Sequence, residues 1–336
     1  TLFRSSIAYI QHNSNGKIQV VRNGEPGASF DAIKWDSLVF STDGQRLAYQ
    51  ATQGKHQVMV VDEVISAGYN KIMDGSFRFS PDGKRYVYTA KKRKWFAVVD
   101  GEQSLPYSRI DLRSLQFSPD SNKVAYIAIE ADSKQVMVMN GQVSPRYDNI
   151  WTGPSAFSSS GERSAYITQT GNTWSVTIDG KQGPPFDFVI VSSLLFSKNG
   201  KHTAYIAQSG GKSIVVRDSI PTTPFEQIRS QSLSFSPKGD HLAYAAKING
   251  DWTPVVDGKT IGQPFDDIDG IQPNYSPNGD QLAFGVRLGK QWGVVVDGTL
   301  GMPHTNIGHD SFRFSSNNNH FAYIANIVYL YIEISL

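Results

Sequence analysis

Histidine is the residue type in this sequence best suited to metal binding or acid–base catalysis. Its seven positions are His12, His56, His202, His241, His304, His309 and His320. No pair has the short spacing of a local zinc motif, and only His304 and His309 lie close together along the chain. A metal site would need side chains from distant segments. We therefore expect neither a metal nor another cofactor.

Other catalytic motifs are also incomplete. The chain has no cysteine, which excludes thiol chemistry and disulfides, and it has no Gly-x-Ser-x-Gly nucleophile elbow. The segment "QSGGKS" (Gln208–Ser213) ends like a phosphate-binding loop, but Ile206 stands where the first glycine belongs. The segment "DDIDG" (Asp266–Gly270) lacks the closing Glu of a calcium loop. We expect no catalytic residue from local motifs.

These side chains belong to an internal repeat. Its most regular feature is an aromatic residue followed by Ser and a turn, as in "FSPDG" at Phe79–Gly83. The eight aromatic anchors are Phe40, Phe79, Phe117, Phe157, Phe196, Phe235, Tyr275 and Phe314. Their separations are 38 to 40 residues, which indicates one supersecondary unit per repeat and a single domain over residues 1–336.

Each repeat predicts four short strands. The first ends at the anchor, and the second is an apolar run such as "VAYIA" (Val124–Ala128). The third usually ends in Asn-Gly or Asp-Gly, dipeptides typical of tight hairpin turns. We expect a fourth, outer strand because proline suits a sheet edge. Examples are "PFDDI" (Pro264–Ile268), "RYDNI" (Arg146–Ile150) and "PFEQI" (Pro224–Ile228).

The FSPDG-x-x-x-AY pattern and its spacing resemble the WD-repeat-like β-propeller repeats of the TolB type, over essentially the whole chain. The resemblance implies an all-β propeller of four-stranded antiparallel blades. Eight anchors favour eight blades, with seven or nine as alternatives, closed by strands from both termini. For closure we expect the strand at Phe314 to join strands at Ile7–Ile10, Ile18–Val21 and Phe30–Ile33. Residues 321–336 have no place in that scheme.

Two further repeat positions carry large or charged side chains. Trp95, Trp174, Trp252 and Trp292 share one position, and we interpret them as wedges between blades, with an exposed ligand-gripping ring as the alternative. Lysine recurs in the loops between second and third strands, which lie on one face of a propeller. These loops predict a broken basic ring that steers an acidic partner, although a solvated strand start explains the lysines equally simply. The predicted partner-binding residues are Lys17, Lys55, Lys91, Lys92, Arg93, Lys94, Lys134, Lys212 and Lys290.

The bulk charge and the repeat together favour a binding protein. Lys plus Arg number 32 against 30 for Asp plus Glu, which argues against nucleic acid as the partner. No apolar run is long enough to insert into a membrane. We predict a non-catalytic, monomeric scaffold that presents loops and a channel mouth to a protein, peptide or glycan partner, with acidic partners favoured by the lysines.

Two alternatives stay open at this point. One is an enzyme, a polysaccharide lyase or hydrolase, with a site assembled at the propeller axis from several blades. The other is that the chain forms the propeller part of a longer protein, because it starts in the middle of a repeat. The TolB-type resemblance implies an extracytoplasmic setting, periplasmic or secreted.

Overall fold

The computed structural model describes residues 6–153, 156–269, 273–308, 311–325 and 331–335. The chain divides into two compact units, Thr1–Ile150 and Trp151–Leu336, and the boundary falls within one strand. The described residues form nine antiparallel sheets, named blades 1 to 9 in chain order. The described part contains two 3₁₀ turns, Val191–Ser193 and Ser230–Ser232, and no helix that could span a membrane.

The first unit holds blades 1 to 4. Blade 1 comprises β1 (Ala8–His12), β2 (Ile18–Arg22) and β3 (Glu25–Phe30). Blade 2 comprises β4 (Ala32–Ile33), β5 (Val39–Phe40), β6 (Leu47–Gln53), β7 (His56–Val61) and β8 (Val64–Ile65). Blade 3 comprises β9 (Lys71–Ile72), β10 (Arg78–Phe79), β11 (Tyr86–Lys91), β12 (Trp95–Val99) and β13 (Glu102–Gln103). Blade 4 comprises β14 (Arg109–Phe117), β15 (Val124–Ile129), β16 (Gln135–Met139) and β17 (Gln142–Val143).

Blades 5 to 9 follow, and β18 contains the boundary between the units. Blade 5 comprises β18 (Asn149–Trp151), β19 (Ala165–Thr170), β20 (Thr173–Ile178) and β21 (Lys181–Gln182). Blade 6 comprises β22 (Phe188–Val189), β23 (Leu195–Phe196), β24 (Thr203–Ser209), β25 (Lys212–Arg217) and β26 (Ile220–Pro221). Blade 7 comprises β27 (Gln227–Ile228), β28 (Ser234–Phe235), β29 (Leu242–Ile248), β30 (Asp251–Val256) and β31 (Lys259–Thr260). Blade 8 comprises β32 (Asp267–Ile268), β33 (Asn274–Tyr275), β34 (Leu282–Leu288), β35 (Gln291–Val296) and β36 (Thr299–Leu300), and blade 9 comprises β37 (Arg313–Phe314), β38 (Phe321–Ala325) and β39 (Tyr331–Ser335).

The hydrophobic core lies between successive sheets within each unit. The second strands of blades 2 to 8 are buried along most of their length. In β6, for example, Leu47 and Tyr49 pack towards blade 1, whereas Ala48 packs towards blade 3. Such two-sided burial explains the continuous apolar runs of the sequence. The chain is therefore all-β with the blade architecture of a WD-repeat-like β-propeller, as predicted, while one domain over residues 1–336 stays a prediction.

The prediction that segments such as "PFDDI" form the outer strand was wrong. Phe265 of "PFDDI" exchanges backbone hydrogen bonds with Trp252 of blade 7, both at 2.8 Å, and Ile268 then pairs with Val286 of blade 8. The segment is thus the crossover between two blades, and its last residues form the first part of the inner strand. The outer strand is the residue pair directly after the Asp-Gly turn, such as Thr299–Leu300. The tight turn returns the chain at once, so no longer strand is needed there.

The terminal segments also differ from expectation in detail. Phe314 pairs with Phe321 within blade 9, and β1 pairs with β2 within blade 1. The segment Phe30–Ile33 is split, with Phe30 ending β3 and Ala32–Ile33 forming the first strand of the next sheet. Tyr331–Ser335 pairs with Phe321–Ala325, so these two segments have a place as a second and third strand, and residues 326–330 and 336 lie outside the described residues. The described residues therefore form nine sheets, of which the first and the last have three strands, and this number fits the predicted eight blades or the alternative of nine.

Candidate functional site

The predicted basic residues lie in or next to the hairpin turns between second and third strands in six blades. Two of these residues are ion-paired. Lys17 contacts Asp31, and Lys134 Nζ lies 2.5 Å from Asp148 Oδ1. The hydrogen bond from Lys17, together with one from the Gly54 amide, lowers the pKa of Asp31 below its ordinary value. Lys17 and Lys134 are thus matched by internal carboxylates.

Four other turns are capped by a carboxylate of their own blade. The acidic side chain just before the inner strand accepts the backbone N–H of a glycine in the turn, as Asp31 does for Gly54 at 2.6 Å. The donor–acceptor pairs are Gly54–Asp31, Gly210–Asp187, Gly250–Glu226 and Gly289–Asp266. Lys55, Lys212 and Lys290 lie next to these capped turns. Each of these three turns therefore has a carboxylate bonded to its backbone next to the lysine.

The turn of blade 3 has a different environment. Lys91 Nζ lies 5.6 Å from the Trp95 ring centroid, and Lys92 Nζ lies 5.6 Å from that of Tyr69. The neighbouring strand adds Lys71 directly opposite Lys91. We call the following five residues the basic turn: Lys71, Lys91, Lys92, Arg93 and Lys94. Within the described residues, none of the five forms a salt bridge.

A cleft of about 710 Å³ opens beside the inner strands of blades 6 and 7. Leu195, Phe196 and Phe235 supply half-buried apolar surface. The polar residues that line it are Ser192, Ser193, Lys198, Ser230, Gln231, Ser234 and Ser236. Lys198 is the one ionisable side chain among the described lining residues. The cleft therefore combines apolar surface with hydroxyl and amide groups, in the size range of ligand sites.

Backbone groups also face this cleft. Phe196 is paired in register with Thr203, but Thr203 uses both its N–H and its C=O on Asp218, at 2.8 and 3.0 Å. The backbone groups of Phe196 therefore point away from Thr203, towards the free edge of the inner strand. Phe235 is in the same situation, since its partner Leu242 bonds to Asp257 through both N–H and C=O.

The histidines do not assemble a catalytic site in the described part of the chain. His202 Nδ1 lies 2.6 Å from Asp218 Oδ2, a contact that also occurs in catalytic triads. The hydroxyl of Ser197, however, accepts the backbone N–H of His202. His241 and Asp257 repeat the arrangement at 2.6 Å. No cluster of three or more metal-ligating side chains occurs among the described residues, and His309 lies outside them.

Among the four repeat-position tryptophans, Trp252 is buried, and Trp95, Trp174 and Trp292 are half-buried. Each bridges through its backbone to the residue that ends its blade, as Trp174 does to Phe186. Trp174 stacks on Trp151 with ring centroids 4.5 Å apart, and the Arg229 guanidinium lies 4.6 Å from the Trp252 ring centroid. This placement supports the interpretation as packing residues.

Sequence reasoning missed the cleft and also a set of serines next to the inner strands, of which Ser76, Ser114, Ser193 and Ser232 are buried. These serines stand three residues before six of the anchors, so the signal is visible in an alignment of the repeats. They are Ser37, Ser76, Ser114, Ser193, Ser232 and Ser311. Each hydroxyl donates to the carbonyl three residues earlier and accepts an N–H from the second strand, which holds the interrupted inner strand in place.

Comparison with known proteins gives likeness of fold alone. No protein-family model matches the chain, and no curated protein matches it. A solved eukaryotic initiation factor is 12% identical with a TM-score of 0.38, covering 96% of this chain and 89% of that one. TolB from Acinetobacter baumannii is 16% identical with a TM-score of 0.26, covering 77% and 63%. The Cps50 (Swd1) β-propeller domain of Myceliophteria thermophila is 13% identical with a TM-score of 0.28, covering 74% and 91%.

Proposed function

We propose that this chain is a non-catalytic binding scaffold whose cleft beside blades 6 and 7 takes an extended segment of a partner protein. The observation that carries the proposal is the lining of the cleft. A hydrolase or lyase needs a positioned acid and base, and the described lining offers Lys198 alone. Apolar surface next to hydroxyl and amide groups suits binding and orientation of a ligand.

A peptide fits the cleft better than a glycan because the inner edges offer main-chain partners. Phe196 and Phe235 each direct a backbone N–H and C=O to the free edge, and an extended peptide pairs with such groups. The half-buried Phe side chains provide apolar contacts next to those groups. We also propose that the protein is monomeric and extracytoplasmic. The TolB-type resemblance implies the extracytoplasmic compartment.

The test is selection of a phage-displayed library of random linear peptides on the immobilised protein. Gln231 is exposed and lines the cleft, so Gln231→Trp should fill it without disturbing the core. Gln227→Trp is the matched control, because Gln227 is equally exposed but does not line the cleft. We expect enriched peptides to bind the parent protein and the control, and to lose roughly tenfold in affinity for Gln231→Trp.

Two results would contradict the proposal. One is the absence of any enriched peptide. The other is enrichment of peptides that bind Gln231→Trp and the parent protein equally well, which would place the peptide site elsewhere. Binding of neutral oligosaccharides that is blocked by Gln231→Trp would keep the scaffold role but replace the peptide by a glycan.

A further inference from the structure

We propose that the basic turn of blade 3 is a second binding site, which docks an acidic segment of a partner protein. In this site an Asp or Glu of the partner takes the place that an internal carboxylate has in other blades. The basic turn lies in the first unit and the cleft is lined by residues of the second, so the two sites are tested separately. The inference goes beyond the role proposed for the cleft.

Blade 3 has a neutral residue at the position where blade 2 has a carboxylate. Asp31 of blade 2 donates its N–H to Thr52 O at 3.0 Å, and Asn70 of blade 3 donates its N–H to Lys91 O at 2.9 Å. The two residues therefore occupy the same place in their blades. Asp31 caps the turn through its side chain, whereas Asn70 puts a neutral amide there. Compared with blade 2, blade 3 therefore has no negative charge at this position and has more positive charges in its turn.

The positive charges of the basic turn lie close together. Lys71 and Lys91 stand directly opposite each other on adjacent strands, an arrangement in which like charges repel. Lys92, Arg93 and Lys94 follow in the turn and are exposed. Glu130 and Asp132, which line a cavity of about 290 Å³ together with Lys94, are both held by Arg146. A negative group from outside would therefore relieve repulsion that the free protein retains.

The side chains of the basic turn also indicate which kind of anion it binds. Lys91 lies over the half-buried Trp95 ring, and the Tyr69 ring under Lys92 is only 1% exposed, so neither ring is an open stacking platform for nucleotide bases. Four of the five cations are lysines, whose point charge accepts a carboxylate in many orientations. Sites for phosphate or sulfate esters favour the fixed fork of arginine. The composition and geometry of the basic turn therefore favour carboxylates on a flexible polypeptide.

The experiment measures binding of fluorescently labelled poly-L-glutamate to the full chain by anisotropy across a salt series. Asn70→Asp restores the internal carboxylate without removing a lysine, and we expect it to weaken binding roughly threefold to tenfold. Gln227→Asp adds the same charge at an exposed position of blade 7 and should leave affinity unchanged. Replacing Lys91, Lys92, Arg93 and Lys94 by Gln should weaken binding tenfold or more, roughly, and flatten its salt dependence.

The proposal is overturned if Asn70→Asp and the parent protein bind poly-L-glutamate equally, or if Gln227→Asp weakens binding as much as Asn70→Asp. It is also overturned if the chain prefers heparin or oligodeoxythymidylate over poly-L-glutamate, because the partner would then be another class of macromolecule. Thermal unfolding of each variant shows that it is folded before binding is measured. Because Gln231→Trp acts on the cleft alone, it should not alter poly-L-glutamate binding.

Discussion

Ser76 lies opposite Thr89 where the inner strand of blade 3 is interrupted, and its hydroxyl accepts the Thr89 N–H at 3.1 Å. The same hydroxyl donates to the Met73 carbonyl at 2.6 Å. Ser76 and Thr89 are both buried, at 0% and 1% exposure, so water cannot replace the hydroxyl as the acceptor of the Thr89 N–H. One hydroxyl thus satisfies two backbone groups that a continuous strand would have paired through its own backbone.

Replacing Ser76 by Ala should therefore destabilise the protein. The change leaves the Thr89 N–H buried without an acceptor, which typically costs about 1–3 kcal/mol. Urea unfolding monitored by tryptophan fluorescence measures the loss. Ser108→Ala is the control, because Ser108 is exposed, and it should change the free energy of unfolding by less than about 0.5 kcal/mol. Equal stability of Ser76→Ala and the parent protein would contradict the role assigned to this hydroxyl.

A second prediction concerns Arg85, which ties blade 3 to blade 4. Its Nε lies 2.8 Å from Asp100 Oδ2, and its guanidinium also donates to the Asn122 carbonyl at 2.7 Å while lying 5.6 Å from the Phe117 ring centroid. Arg85→Lys keeps the charge but loses the fork that reaches both blades. We expect a loss of about 1–2 kcal/mol in unfolding free energy.

Arg113→Lys provides the comparison for Arg85→Lys, because the Arg113 side chain is 95% exposed. Differential scanning calorimetry should show a lower transition temperature for Arg85→Lys than for the parent protein. The transition temperature of Arg113→Lys should be unchanged. A shift of the same size in both variants would mean that the loss comes from replacing arginine in general and not from the link between blades.

The sequence predicted the repeat well because its signals are local. The Ser-Pro-Asp-Gly turn at Ser80–Gly83 is specified by its own residues, since the Ser80 hydroxyl bonds to Asp82 and to the Arg85 amide. The crossover at Phe265 was not predictable in the same way. A short apolar-polar-apolar segment can pair with either of two sheets, and the choice depends on contacts with a neighbouring blade.

The candidate sites likewise combine features that are visible locally in the sequence with features that depend on distant segments. The basic residues Lys91 to Lys94 were identified from sequence, but the feature that distinguishes them from Lys17 is the position of Asp31, which lies in a different segment from the turn. The cleft was not identified, because its lining comes from two blades and consists of common residue types. Local patterns thus predict elements, whereas charge pairing and concavity depend on which elements become neighbours.

A third prediction is a delayed ionisation of buried tyrosines. Burial raises the pKa of Tyr126 and of Tyr244 from 10.0 to about 12, and the neighbouring Ser104 and Thr222 hydroxyls partly oppose this rise. The folded state therefore keeps a proton that the unfolded state releases, so stability is retained below pH 10 and falls as pH rises towards about 12.

Ultraviolet difference spectroscopy should therefore show a late class of tyrosines that ionises near pH 12 in the folded protein. The late class should move towards pH 10 in concentrated urea, because the burial is lost. Tyr126→Phe should remove part of the late step and leave the earlier absorbance change as it was. A single step near pH 10 in the folded protein would contradict the burial of these hydroxyls.

The last prediction uses a difference between equivalent positions in the blades. In blades 2 to 4 the residue after the outer strand is Ser66, Ser104 or Ser144, and its hydroxyl accepts an N–H from the third strand. Blade 5 has Gly183 at this place, with the same backbone bond, 2.9 Å from Gly183 N to Val176 O. The buried hydroxyl of Tyr205 has no partner among the described residues, and a Cβ at Gly183 would lie 3.7 Å from it.

Gly183→Ser should therefore be more stable than Gly183→Ala by about 1 kcal/mol, because the new hydroxyl can bond to Tyr205. Comparison with Ala cancels the effect of the added Cβ, which approaches the Val176 carbonyl at 3.0 Å. Repeating both substitutions in a Tyr205→Phe background completes a double-mutant cycle, and the advantage of Ser over Ala should shrink there. If Ser keeps its full advantage without the Tyr205 hydroxyl, the stabilisation arises from the third-strand N–H and not from the tyrosine.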